Sequence, residues 1–115
     1  MTLQCCVAQL NYVVGDMTGN AQKIIDLARR SHARGVRLVL TPELALCGYA
    51  AEDLFLRPSF IAACDDALRR IATELADLKD LAVVVGHPVG AGQRSRSVSV
   101  ARRTNRASVL RGGDI

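Results

Sequence analysis

Of the eleven acidic residues in the chain, Glu43 has the surroundings of a group that could do chemistry. It follows the segment VRLVL (36–40), apolar at four of five positions, and then Thr41 and Pro42. A sheet ladder does not continue through a residue that lacks an N–H donor, so Glu43 is expected at the mouth of a strand. A carboxylate in such a place is partly desolvated, which equips it to exchange protons near neutral pH. On position alone, an ordinary solvent-exposed loop glutamate satisfies the same pattern. The four cysteines, Cys5, Cys6, Cys47 and Cys64, form no Cys-x-x-Cys pair and have no histidine at metal-ligand spacing. They read as reduced thiols packed as small apolar groups. His87, between Gly86 and Pro88, reads as a structural loop histidine.

The elements that must position Glu43 follow from the spacing of apolar residues. Residues 3–10 (LQCCVAQL) read as a buried strand and residues 11–19 as a loop holding Gly15, Asp16 and Gly19. A helix is expected from about Asn20, a good N-cap type, with Ala21, Ile24, Ile25 and Ala28 on its apolar face. Arg29, Arg30 and Arg34 sit where cations favour the helix dipole, and Gly35 suits the left-handed position that ends a helix. The second strand is 36–40, and a long connection, 44–57, carries Gly48 and the acidic pair Glu52-Asp53. Pro58 suits the first turn of a second helix. Phe60, Ile61, Cys64, Leu68, Ile71, Leu75 and Leu78 follow at spacings of three and four. A third strand, 81–85 (LAVVV), is closed by Gly86-His87-Pro88. Residues 97–101 and 107–110 read as short strands, with a tight turn at Gly112-Gly113. The order is β-α-β-α-β then a β-hairpin, an α/β fold with a parallel or mixed sheet and the first three strands at its centre. Functional groups in such sheets lie beyond the carboxyl ends of strands. Thr41-Pro42-Glu43 and Gly86-His87-Pro88 both fall there.

Composition narrows the class. A chain of 115 residues, half of them hydrophobic, suits one α/β unit. With two Phe, two Tyr and no Trp, its core must come from Val, Leu, Ile and Ala. No apolar run approaches the roughly 20 residues of a membrane span, and the start, Met1-Thr2-Leu3-Gln4, does not read as a signal peptide. A cytoplasmic protein with no membrane partner is expected. The formal charge of +4 is concentrated after residue 80, in Arg94, Arg96, Arg102, Arg103, Arg106 and Arg111 against Asp114. No aromatic residue interleaves these arginines, so there is no stacking platform for bases and no nucleic-acid partner is expected. They read as a solvated basic edge.

The words around Glu43 carry a resemblance. Thr41-Pro42-Glu43-Leu44-Ala45-Leu46-Cys47-Gly48-Tyr49 resembles the Pro-Glu…Gly-Tyr segment of the nitrilase, or carbon-nitrogen hydrolase, superfamily. The opening, Val7-Ala8-Gln9-Leu10-Asn11 with Val14-Gly15-Asp16 and Gly19-Asn20, is similar to it as well. Glu52-Asp53-Leu54-Phe55-Leu56-Arg57 and Val84-Val85-Gly86-His87-Pro88 resemble one branch, the glutaminase domains of glutamine-dependent NAD synthetases. The resemblance implies part of a four-layer α-β-β-α sandwich over residues 1–115. It implies Glu43 as general base of a Cys-Glu-Lys triad and Tyr49 as a wall of the glutamine pocket. Tyr49 reads equally as a core tyrosine, and Glu52 and Asp53 either as groups that approach the substrate amine or a neighbouring subunit or as surface or capping residues.

After Pro88 the resemblance becomes ragged. Lys23 and Lys79 lie outside any catalytic-lysine motif, and no cysteine falls in a nucleophile segment. Cys47 belongs to the glutamate motif itself. A fragment or a degenerate copy, inactive by itself, is therefore expected. In the family a thiolate attacks the glutamine amide, the Glu carries protons, the Lys stabilises the oxyanion, and ammonia is released. The complete enzyme is implied to pass ammonia to a synthetase domain that uses ATP and Mg²⁺, and to assemble as a homo-oligomer. No cofactor is expected in these residues, since Gly15 to Gly19 does not form a phosphate loop. A different nitrilase-family amidase and a non-catalytic α/β binding module are the other readings.

Overall fold

A computed structural model describes residues 2–48, 57–90 and 103–115. The elements run β1 (Cys5–Val7), α1 (Met17–Ala33), β2 (Leu38–Leu40), α2 (Pro58–Glu74), β3 (Ala82–Gly90) and β4 (Arg103–Leu110). The strands form one sheet in the order β1-β2-β3-β4, parallel across the first three and antiparallel between β3 and β4. The α/β class and mixed sheet match the expectation from sequence. The strand expected over 97–101 lies outside the described residues.

Both helices lay their apolar stripes on one face of the sheet. Ala21, Ile24, Ile25 and Ala28 of α1 are buried, as are Phe60, Ile61, Cys64, Leu68 and Ile71 of α2. They join Val39, Val83, Val85 and Leu110 in a single cluster. At the far end of α1, Arg29 pairs with Asp77 at 2.9 Å, and Asp80 receives both His32 at 2.7 Å and Arg37 at 2.9 Å. These pairs fasten the end of α1 to the connection between α2 and β3.

Four expectations are corrected. The first strand is short and lies at the edge of the described sheet, with Cys5 and Val7 exposed rather than buried. Strand period 2 puts Val7, Leu40, Val84 and Val109, which are in register across all four strands, on the face opposite the helices. Second, α1 starts at Met17, capped by Asp16, whose carboxylate accepts from Gly19 N at 3.0 Å. Asn20 is thus a buried residue of the first turn. Third, α2 opens at Pro58 as expected but stops at Glu74, so Leu75 and Leu78 follow the helix.

Fourth, β3 runs through Gly86-His87-Pro88 to Gly90. The reason lies in its neighbour. Thr41 N donates to Val84 O and Ala82 N donates to Arg37 O, so the even-numbered backbone groups of β3 face the β2 side. The β2 ladder ends at the pair Leu40 and Val84. Pro88 therefore presents its missing N–H to a side where no ladder runs, and its pairing with Asn105 of β4 is kept. Beyond β4, Arg111 and Asp114 pair across Gly112 and Gly113, both at positive φ, which is the expected tight turn.

Candidate functional site

Glu43 stands where β2 ends, at the start of a tight turn spanning residues 43–47. Glu43 is exposed in this structure. The backbone beneath it is heavily constrained. Ala45 N donates to Pro42 O at 3.2 Å and Gly48 N to Leu44 O at 2.9 Å. Leu44 has φ 54°, a left-handed conformation that costs a residue with a Cβ roughly 1–2 kcal/mol. It is held there by burial of its side chain, which is 7% exposed. At the end of the turn Gly48 also has positive φ, and a Cβ on it would come within 2.6 Å of Val14 Cα.

The turn is tied to two other parts of the fold. On the sheet side, Leu46 N donates to Gly86 O at 3.1 Å. Thr41 Oγ1 donates to Val84 O at 2.9 Å and accepts from Gly86 N at 3.1 Å. The two segments expected at strand ends, Thr41-Pro42-Glu43 and Gly86-His87-Pro88, are thus in direct contact. On the helix side, fully buried Asn20 donates to Leu46 O at 3.0 Å and to Val13 O at 2.8 Å, and accepts from Val13 N at 2.8 Å. Gly15 N adds a bond to Cys47 O at 2.9 Å. The loop before α1, α1 itself, the Glu43 turn and β3 form one hydrogen-bonded unit. Sequence reading missed the parts of Asn20, Thr41 and Gly86. Asn20 offered a signal in being a cap-type residue four positions past the cap, Asp16.

Other singled-out residues fall as follows. Cys47 is wholly buried and its thiol points at Leu44 O and Gly48 O, 3.7 and 3.5 Å away, so it packs inside the turn. Buried Cys64 neighbours Cys47, and that thiol together with burial pushes its own thiol well above its ordinary range. His87 is a buried strand residue rather than a loop residue. Its Nε2 lies 2.7 Å from Ser108 Oγ and its Nδ1 3.3 Å from Pro88 O, and burial pushes its pKa down. Tyr49, Glu52, Asp53, Arg94, Arg96 and Arg102 lie outside the described residues. Arg106 and Arg111 are exposed. An open depression of about 680 Å³, lined by Asp16, Thr18, Gln22, Ala63 and Arg70 among others, lies between the start of α1 and α2 and does not involve Glu43. Among the described residues no helix is long and apolar enough to cross a membrane.

Comparison with known proteins agrees with this architecture. The chain is 44% identical over 115 residues to the glutamine-dependent NAD(+) synthetase of Xanthomonas campestris, covering 99% of this chain and 19% of that protein. It is 44% identical over 80 residues to the enzyme of the same name from Synechocystis, covering 70% and 14% respectively. The chain thus spans less than a fifth of these relatives. The solved glutamine-dependent NAD(+) synthetase of Cytophaga hutchinsonii shares the fold with a TM-score of 0.80 at 24% identity, over 99% of this chain and 18% of that one. An amidase from Nesterenkonia does so with a TM-score of 0.73 at 25% identity, over 98% and 41%. The carbon-nitrogen hydrolase family model matches residues 5–110, and with that match over most of its length the chain belongs to the carbon-nitrogen hydrolase family.

Proposed function

We propose that these residues are the N-terminal part of the glutaminase domain of a glutamine-dependent NAD(+) synthetase, with Glu43 as its general base. The observation that carries this reading is the 44% identity sustained over 99% of the chain with a relative of that name. Glu43 takes a proton from the attacking thiol and returns it to the departing ammonia. An exposed carboxylate on a rigid turn suits that task, because it can be reached by substrate and cannot drift. Tyr49 lines the pocket for the glutamine side chain. The nucleophilic cysteine and the lysine that steadies the oxyanion come from chain beyond these residues, so the 115 residues alone do not hydrolyse glutamine. Ammonia passes to a synthetase domain of the same polypeptide. ATP and Mg²⁺ serve that domain, and no residue of this chain is assigned to them. The complete enzyme is a cytoplasmic homo-oligomer.

The test is Glu43→Gln with the downstream sequence restored. Glutamine-dependent NAD synthesis is expected to fall by about 10²–10⁴-fold, the usual contribution of a positioned acid-base group. Synthesis from added ammonia is expected to continue unchanged. Loss of both activities in a folded protein, or undiminished use of glutamine, counts against the assignment.

A further inference from the structure

The height of the Glu43 turn above the sheet is decided at Gly86. A Cβ at this position would lie 2.5 Å from Pro42 O, 2.7 Å from Leu44 N and 3.2 Å from Glu43 C. All three are backbone atoms, so no flexible side chain could swing aside to make room. Gly86 is not among the residues at positive φ. Its backbone conformation is thus open to other residues, and it is the space above it that requires glycine. The bonds described above close around the same point. Gly86 N is held by Thr41 Oγ1, Gly86 O by Leu46 N, and Thr41 is held in turn by Val84 O. The residues on either side of Glu43 are also fixed, Pro42 by its ring and Leu44 by its buried left-handed conformation.

We infer that Gly86, on a different strand from Glu43, is a positioning residue for amide cleavage: by carrying no side chain it lets the 42–44 backbone seat on β3, and Thr41 Oγ1 locks that seat. The inference rests on the reading of Glu43 as general base. Neither Gly86 nor Thr41 touches the reacting atoms. They set where the carboxylate stands, and a displacement of about 1 Å at such a group can cost on the order of 10²-fold in rate.

The experiment measures kcat and KM for glutamine, and the ammonia-dependent rate, in the polypeptide with its downstream sequence restored. Gly86→Ala is expected to lower kcat for glutamine by about 10²-fold, leaving KM within about threefold and the ammonia-dependent rate unchanged. Thr41→Val, a milder change that removes only the hydroxyl, is expected to lower kcat by about tenfold, and Thr41→Ser to restore it. Thr41→Val carries the test if Gly86→Ala does not fold. The decisive arm repeats both changes in the Glu43→Gln background. A residue acting only through Glu43 has nothing left to position there, so the residual glutamine rate should not fall further. Wild-type glutamine kinetics in Gly86→Ala or Thr41→Val overturns the inference, as does an equal fold loss in the Glu43→Gln background. Undiminished glutamine use in Glu43→Gln alone instead overturns the role of Glu43 itself.

Discussion

His87 shows what burial does to a single titratable group in this fold. It is 3% exposed, and its two ring nitrogens are used by Pro88 O and Ser108 Oγ. A neutral imidazole fits this pair, donating from Nδ1 to Pro88 O and accepting at Nε2 from the Ser108 hydroxyl. Burial lowers its pKa below the ordinary 6.5, with nearby Arg106 working in the same direction, while the bond to Pro88 O and the charge of Asp65 oppose. In the unfolded chain the same group titrates near its ordinary value. Between the two values the unfolded chain binds more protons, so stability is intact above about pH 6.5 and declines as the pH falls toward the folded-state value. Thermal unfolding of the polypeptide with its downstream sequence restored, measured between about pH 7 and about pH 5, should show this decline, and His87→Gln should flatten it while lowering the midpoint at neutral pH. A slope unchanged in His87→Gln would assign the acid sensitivity to other groups.

Between elements, Asn20 is the residue whose loss should be felt most widely. Its single amide joins α1, the loop at Val13 and the Glu43 turn at Leu46. Asn20→Ala leaves a buried N–H and two carbonyls unsatisfied, and is expected to cost about 3 kcal/mol in denaturant unfolding of the polypeptide with its downstream sequence restored. Asn20→Asp keeps the shape but sets an acceptor against Val13 O and Leu46 O, and should be no better tolerated. Either variant within about 0.5 kcal/mol of the parent would show that the network contributes little.

The elements themselves were largely legible. Apolar spacing located both helices and the centres of β2 and β3, because those residues face one common core. What sequence could not supply depended on neighbours distant in the chain. Asp16 and Asn20 are both good caps, and only the tertiary use of the Asn20 amide decides between them. Pro88 reads as a strand stop unless one knows that β2 has already ended beside it. Glu43 stood out from the words around it, whereas the seat on which it rests pairs Thr41 with a glycine 45 positions later and becomes visible only with the strand register.

Across the whole molecule, the helices cover one face of the sheet and leave the other to Val7, Leu40, Val84 and Val109. Val7, on outer strand β1, is 62% exposed, and Val109, on outer strand β4, is 56% exposed. That exposure suits a half-built sandwich whose second sheet would lie on this face. Prepared as a 115-residue chain by itself, the protein is therefore expected to self-associate or to lack fixed packing, since soluble monomers rarely expose contiguous apolar patches beyond a few hundred Å². The exposed edge of β1 adds a second route, because unpaired strand edges recruit other strands. Sedimentation should show oligomers or aggregates, and a Val7→Lys, Val109→Lys double variant should shift the distribution toward monomer. The two substitutions leave the helix-covered face untouched, so a shift would place the association on the open face. A monodisperse monomer with a dispersed amide spectrum and cooperative unfolding would show instead that the open face needs no cover.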